Sequence, residues 1–154
     1  MKKSERGREV FYTIAWSKFY RYDKWDAMKV LPELAGILML AQEAPQGDPE
    51  CLLVFGCWRE GLRIGLKNLM DPLMPKHDHV RANLQGRRLL YKYTVVDSSP
   101  ADMQDVMYWL IKNYVPELNS ITHFTDSKRY MNIYVREMDL RADEVVERIP
   151  GIGL

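Results

Sequence analysis

Two cysteines and three histidines are all that the 154 residues offer to thiol, disulfide or imidazole chemistry. Cys51 and Cys57 fall on one predicted strand, where six residues separate them by about 20 Å, far beyond disulfide reach. Reduced thiols in a cytoplasmic protein are the simplest reading. A net charge of only +1 implies no strong global attraction to nucleic acid or to an anionic membrane. No apolar run is long enough to span a bilayer, and the opening M-K-K-S-E-R-G-R-E has no apolar signal core behind it, so no membrane partner is expected. There is no Gly-rich phosphate loop and no Ser-His-Asp arrangement. No repeat or low-complexity tract breaks the chain.

What remains is an ordinary globular composition, 47% hydrophobic and 28% charged, and a length that suits one domain. Glu9 to Trp16 reads as a strand, rich in β-branched and aromatic residues. Asp23 is placed to cap a short helix through Lys29, stopped by Pro32. Gly36 to Ala41 and Cys51 to Phe55 are continuous apolar runs around the turn-rich A-P-Q-G-D-P, which predicts a hairpin buried on both faces. Leu62, Leu66 and Leu69 mark a helix over Glu60 to Met70. A third strand covers Arg87 to Val96. Ser99-Pro100 opens the best-signalled helix, with Ser as N-cap, Pro at the first position and Asp102 in the first turn; its apolar face is Met103, Met107, Leu110 and Tyr114. Met131 to Val135 predicts another strand and Ala142 to Arg148 a short last helix. The pattern is α+β, a small mixed β-sheet flanked by helices.

Within this frame, L-P-E-L-A-G-I-L (Leu31 to Leu38), L-L-V-F-G (Leu52 to Gly56) and V-P-E-L-N (Val115 to Asn119) resemble, in order and spacing, the GIY-YIG nuclease family. The resemblance covers a little over half the chain. It implies three parts in one structural domain: an aromatic and basic N-terminal extension (1-34), a GIY-YIG-like core (35-119) and a C-terminal strand-helix extension (120-154). It aligns the first motif's Tyr with Leu38, the second motif's Tyr with Val54, the Arg with Ile64 beside Arg63, and the metal-binding Glu with Met107. Only Asn119 matches. Leu38 and Val54 transfer no protons and Met107 is no ligand for a hard cation, so the resemblance implies a non-catalytic derivative with no cofactor and no metal. Asp105, two positions from Met107 and about 200° around the helix, is expected to face solvent.

Charge is unevenly spread. Residues 59 to 93 carry eight Lys or Arg against three Asp or Glu (net +5), and residues 94 to 154 carry six against ten (net −4). Arg59, Arg63 and Lys67 recur every four residues, opposite Leu62, Leu66 and Leu69. With Arg87, Arg88 and Asn119 they form the candidate nucleic-acid-binding set for DNA or RNA, a charged helix face being more often merely solvated. Phe11, Tyr12, Trp16, Phe19, Tyr20, Tyr22 and Trp25 place seven aromatics among residues 11 to 25, interleaved with Lys18, Arg21 and Lys24. Such a segment stacks unpaired bases, or covers a flank of the sheet, or joins a protein partner or a homodimer.

His77-Asp78-His79 has metal-ligand spacing but no third ligand nearby in sequence, His123 being the only other histidine. The ending R-I-P-G-I-G-L reads as a Gly-terminated helix cap. Nucleic-acid binding by a non-catalytic domain is therefore the leading expectation. A protein-interaction module and a metal-dependent nuclease with relocated catalytic groups, for example Tyr91 or Tyr93, are the alternatives.

Overall fold

A computed structural model describes residues 1–119 and 124–140, together with the backbone of Glu147 and Arg148. Its elements run β1 (Lys2–Arg6), β2 (Glu9–Trp16), β3 (Tyr20–Arg21), α1 (Lys24–Val30), β4 (Gly36–Gln42), β5 (Glu50–Cys57), α2 (Gly61–Met70), α3 (Asp78–Leu84), β6 (Leu89–Val95), α4 (Pro100–Tyr114), β7 (Asn132–Asp139) and β8 (Glu147–Arg148). The α+β class is as the sequence implies. The strands form two small sheets, ordered β1-β2-β7-β8 and β3-β6-β4-β5.

The hairpin β4–β5 is apolar throughout because both faces of its sheet are covered. Leu38, Leu40, Leu52 and Leu53 pack against α1, α2 and α3 through Ala27, Leu31, Leu62, Leu66, Leu69 and Leu84. Ile37, Met39 and Val54 face α4 through Met103, Val106 and Leu110. Each fully buried Leu or Ile contributes roughly 1.5–3 kcal/mol by leaving water, so this sandwich is the chief source of stability. The helix signals hold locally: the Asp23 carboxylate accepts from the backbone N–H of Trp25 and Asp26, and Ser99 Oγ accepts from that of Asp102.

The N-terminal segment does more than extend the core. Strand β2 alternates cleanly, with Val10, Tyr12, Ile14 and Trp16 facing inward. It pairs in parallel with β7, from Glu9 opposite Asn132 to Trp16 opposite Asp139, so the two ends of the chain build one sheet around α4. Ser17 then joins the two sheets: its N–H donates to the Tyr93 carbonyl (2.9 Å) and its hydroxyl accepts from the Tyr93 N–H (3.0 Å). The strand at the C-terminal side extends four residues further than the predicted Met131 to Val135. The predicted helix at Ala142 to Arg148 lies outside the described residues over 142–146, and its last two residues form β8 against Glu137 and Met138. The C-terminal Pro-Gly-Ile-Gly segment and His123 also lie outside them.

Candidate nucleic-acid interface

The structure distributes the predicted basic set differently from a single stripe. Arg59 precedes α2 rather than lying on it. Arg63 is tied down: its Nε donates to the Leu31 carbonyl (2.9 Å) and one terminal nitrogen to Glu33 (2.8 Å). Arg87 makes a two-pronged pair with Glu117 (2.9 and 3.0 Å) and further bonds to Gln42 and the Asn83 carbonyl; the pairing with Glu117 raises its pKa above the usual guanidinium value. Arg59, Lys67 and Arg88 are exposed, but Arg59 follows the Cys57 end of the hairpin and Arg88 precedes Leu89 at the Gln42 end. Six residues of strand, about 20 Å, separate those ends.

Asn119 has a mechanical task. Its carboxamide accepts from Val54 N–H (2.7 Å) and donates to Val54 C=O (3.0 Å), while Leu118 N–H bonds the Leu52 carbonyl (2.8 Å). Helix α4 ends on Val115 in the left-handed region (φ 48°), which turns Pro116–Asn119 back along β5. The segment thus satisfies backbone groups of β5, the last strand of its sheet, much as a further strand would.

The positions aligned to the family's reactive groups do not converge. Leu38 belongs to the core beneath α2 and Val54 to the core beneath α4. Ile64 is 40% exposed, and the Met107 sulfur covers Gly56. His77 sits edge-on to the Phe55 ring (centroids 5.4 Å), and Asp78 pairs with Arg81. Among the described residues no three His, Cys, Asp or Glu side chains are grouped as a metal site. Tyr91 is buried and stacks on Tyr20, and burial pushes its phenol up to about 12.

Asp105 corrects the expectation of a solvent-facing side chain, for it is fully buried. The Ser127–Arg129 loop folds over it. Ser127 donates through both its N–H (2.7 Å) and its hydroxyl (2.8 Å), and Arg129 adds a bond of 2.9 Å. The same guanidinium nitrogen reaches Asp102 (2.9 Å), which also accepts from Lys3, Tyr12 and Ser98. Burial would raise the Asp102 carboxyl, but these donors outweigh it and hold it well below the usual carboxylate range. This network stitches β1, β2, α4 and the loop before β7 together.

The predicted aromatic segment divides by strand alternation. Tyr12 and Trp16 go inward, and Phe11 goes out, 38% exposed. On the outer face of the β1-β2-β7 sheet, cross-strand register sets three rows: Lys2, Thr13 and Arg136; Ser4, Phe11 and Tyr134; Arg6, Glu9 and Asn132. Phe11 and Tyr134 stack with centroids 5.0 Å apart and planes 15° from parallel. The Arg6 guanidinium lies 5.9 Å from the Phe11 ring centre, and a hydrogen bond to Glu9 raises the Tyr134 phenol's pKa. The buried clusters contain α4 on the inner side of this sheet and α1, α2 and α3 beyond the other sheet, so these helices leave the outer face to Phe11 and Tyr134. The Phe11–Tyr134 pair was not visible in sequence, because the two residues are 123 positions apart.

No curated protein and no solved structure matches the chain. A family model whose description reads "Uncharacterised protein" matches residues 1–149. That match takes in both sheets and all four helices described above, and the chain belongs to this family.

Proposed function

We propose that this is a non-catalytic binding domain for single-stranded nucleic acid, and that the strand lies on the outer face of the β1-β2-β7 sheet. The observation that carries the reading is the stacked Phe11–Tyr134 pair at the centre of a face bordered by Lys2, Arg6 and Arg136. An aromatic ring offers a stacking platform to any base, and neighbouring cations follow the phosphates. In a duplex the bases already stack on one another, so a flat face of this kind favours single strands. The location differs from the helix stripe expected from sequence because Arg63, Arg87 and Asn119 hold the fold together. The apolar side chains at Leu38, Val54 and Met107 support the non-catalytic part of the reading.

The test is fluorescence anisotropy with labelled single- and double-stranded DNA and RNA at low and near-physiological salt. Single strands are expected to bind at micromolar concentrations, with affinity falling as salt rises. The Phe11→Ala, Tyr134→Ala double variant should lose at least tenfold, given about 1–3 kcal/mol per stacked base. Both residues lie off the core, so the variant should melt near the wild-type temperature. Absence of binding at low salt, or binding that ignores both substitutions, would sink the proposal. Concentration-dependent self-association lost in the same variant would assign the face to a homodimer instead.

A further inference from the structure

Where β2 and β7 end, residues of both sheets line a cavity of about 810 Å³, within the range of small-molecule sites. Its walls carry charges of both signs. Lys92 is only 4% exposed, and its ammonium lies 4.7 Å from the Trp16 ring centre and 4.8 Å from that of Phe19. Such a position over aromatic faces stabilises a cation out of water. Lys18 joins it from the segment after Ser17, while Asp139 enters from the end of β7 and Asp48 from the β4–β5 turn. Behind the wall, Glu137 accepts from Trp16 (2.8 Å) and from Tyr114 (2.8 Å), which fixes the Tyr114 ring at the cavity's edge. Burial pushes the Cys51 thiol up to about 12, so this wall residue stays neutral and adds no third negative charge.

Among the described residues, the lining carries two ammonium groups and two carboxylates, with the Glu137 carboxylate behind it. A simple anion entering here meets Asp48 and Asp139; a simple cation meets Lys18 and Lys92. A molecule with both signs meets a partner for each, and like-charge contact penalises the alternatives. Phe19, Met39 and Pro49 supply apolar surface between the charged groups.

We propose that this cavity binds a small zwitterion, a free ammonium and a free carboxylate joined by an apolar body, as in a large α-amino acid or a dipeptide. The site is separate from the outer sheet face and stands whether or not that face binds nucleic acid.

Titration calorimetry on the full chain tests it with L-phenylalanine and with the dipeptide Ala-Phe, each free, N-acetylated and C-amidated. At least one free form is expected to bind with Kd at or below the millimolar range, and the stronger one identifies the source as amino acid or peptide. Blocking either end should weaken binding at least tenfold, as should Lys18→Gln and Asp48→Asn, two exposed positions that spare the fold. Phe11→Ala should change nothing. No heat from either free form at millimolar concentration, or blocked forms that bind as well as free ones, would overturn the proposal.

Discussion

Replacing Arg129 by Met is expected to cost about 2 kcal/mol, less than the loss of a partner from a fully buried ion pair, because its side chain is 35% exposed and Lys3 still faces Asp102. Asp105 has no exposed surface and Asp102 is 4% exposed, and one guanidinium nitrogen serves both carboxylates at 2.9 Å. Without it, Asp102 keeps Lys3, Tyr12 and Ser98, whereas Asp105, among the described residues, keeps Ser127 and loses a cation at 2.9 Å. Urea unfolding at pH 7 measures the loss, and a change below 1 kcal/mol would mean that the carboxylates are hydrated. Adding Asp105→Asn to Arg129→Met should return part of the stability, because the neutral amide needs no counter-charge; contacting residues are not additive.

The pH dependence should weaken, without changing sign, when Arg129 is replaced. In the wild type Asp102 is held below its unfolded value by Ser98, Lys3, Arg129 and Tyr12 acting against burial. A depressed folded-state pKa gives stability that is complete above the unfolded value, about 4, and is lost as pH falls below it. In Arg129→Met, Ser98, Lys3 and Tyr12 still hold the Asp102 carboxyl down, though less far. Between pH 7 and pH 5 this site leaves both proteins flat, and below about pH 4 the variant should lose less stability than the wild type, so the gap between them narrows. Melting curves taken down through that acid range decide it, and parallel curves for the two proteins would refute the account.

This network also marks where sequence stops being readable. Strand β2 was legible because β-branched and aromatic residues dominate it, and α4 because Ser99, Pro100 and Asp102 signal its start. The hairpin was legible because two unbroken apolar runs flank a Pro- and Gly-containing turn. Asp105 was not, since its partners stand 22 and 24 positions away on a loop without periodicity. The K-K-S-E-R of β1 carries no strand signal of its own; it pairs because β2 leaves an open edge beside it. Arg63 and Arg87 looked available for phosphate because a helix or strand pattern shows which side a cation takes, not which carboxylate or carbonyl it meets there. The Phe11–Tyr134 platform needed the parallel register of β2 and β7, which no local pattern contains. The cavity needed residues of both sheets and of α4 brought together by the fold.

The two motif glycines make the last case, and they predict opposite tolerances. A Cβ on Gly36 would stand 2.4 Å from the Thr94 carbonyl oxygen and 2.8 Å from a Leu62 methyl. The carbonyl belongs to β6, paired with β4 along seven residues, so it yields only if the strands part. A Cβ on Gly56 would instead meet the sulfurs of Met107 (2.5 Å) and Met103 (3.1 Å), the adaptable ends of flexible side chains. Gly36→Ala should therefore cost about 3 kcal/mol, at the upper end of ordinary overpacking. Gly56→Ala should cost about 1 kcal/mol or less, because methionine repacking and the lower entropy of the unfolded chain offset part of the strain. Chemical denaturation of both variants measures the contrast. Equal losses would mean that β6 moves as easily as a methionine, and that the glycine of the G-I-L motif has no steric reason to be there. A large loss at Gly36 alone would explain that glycine by strand packing against β6 and α2, with no appeal to catalysis.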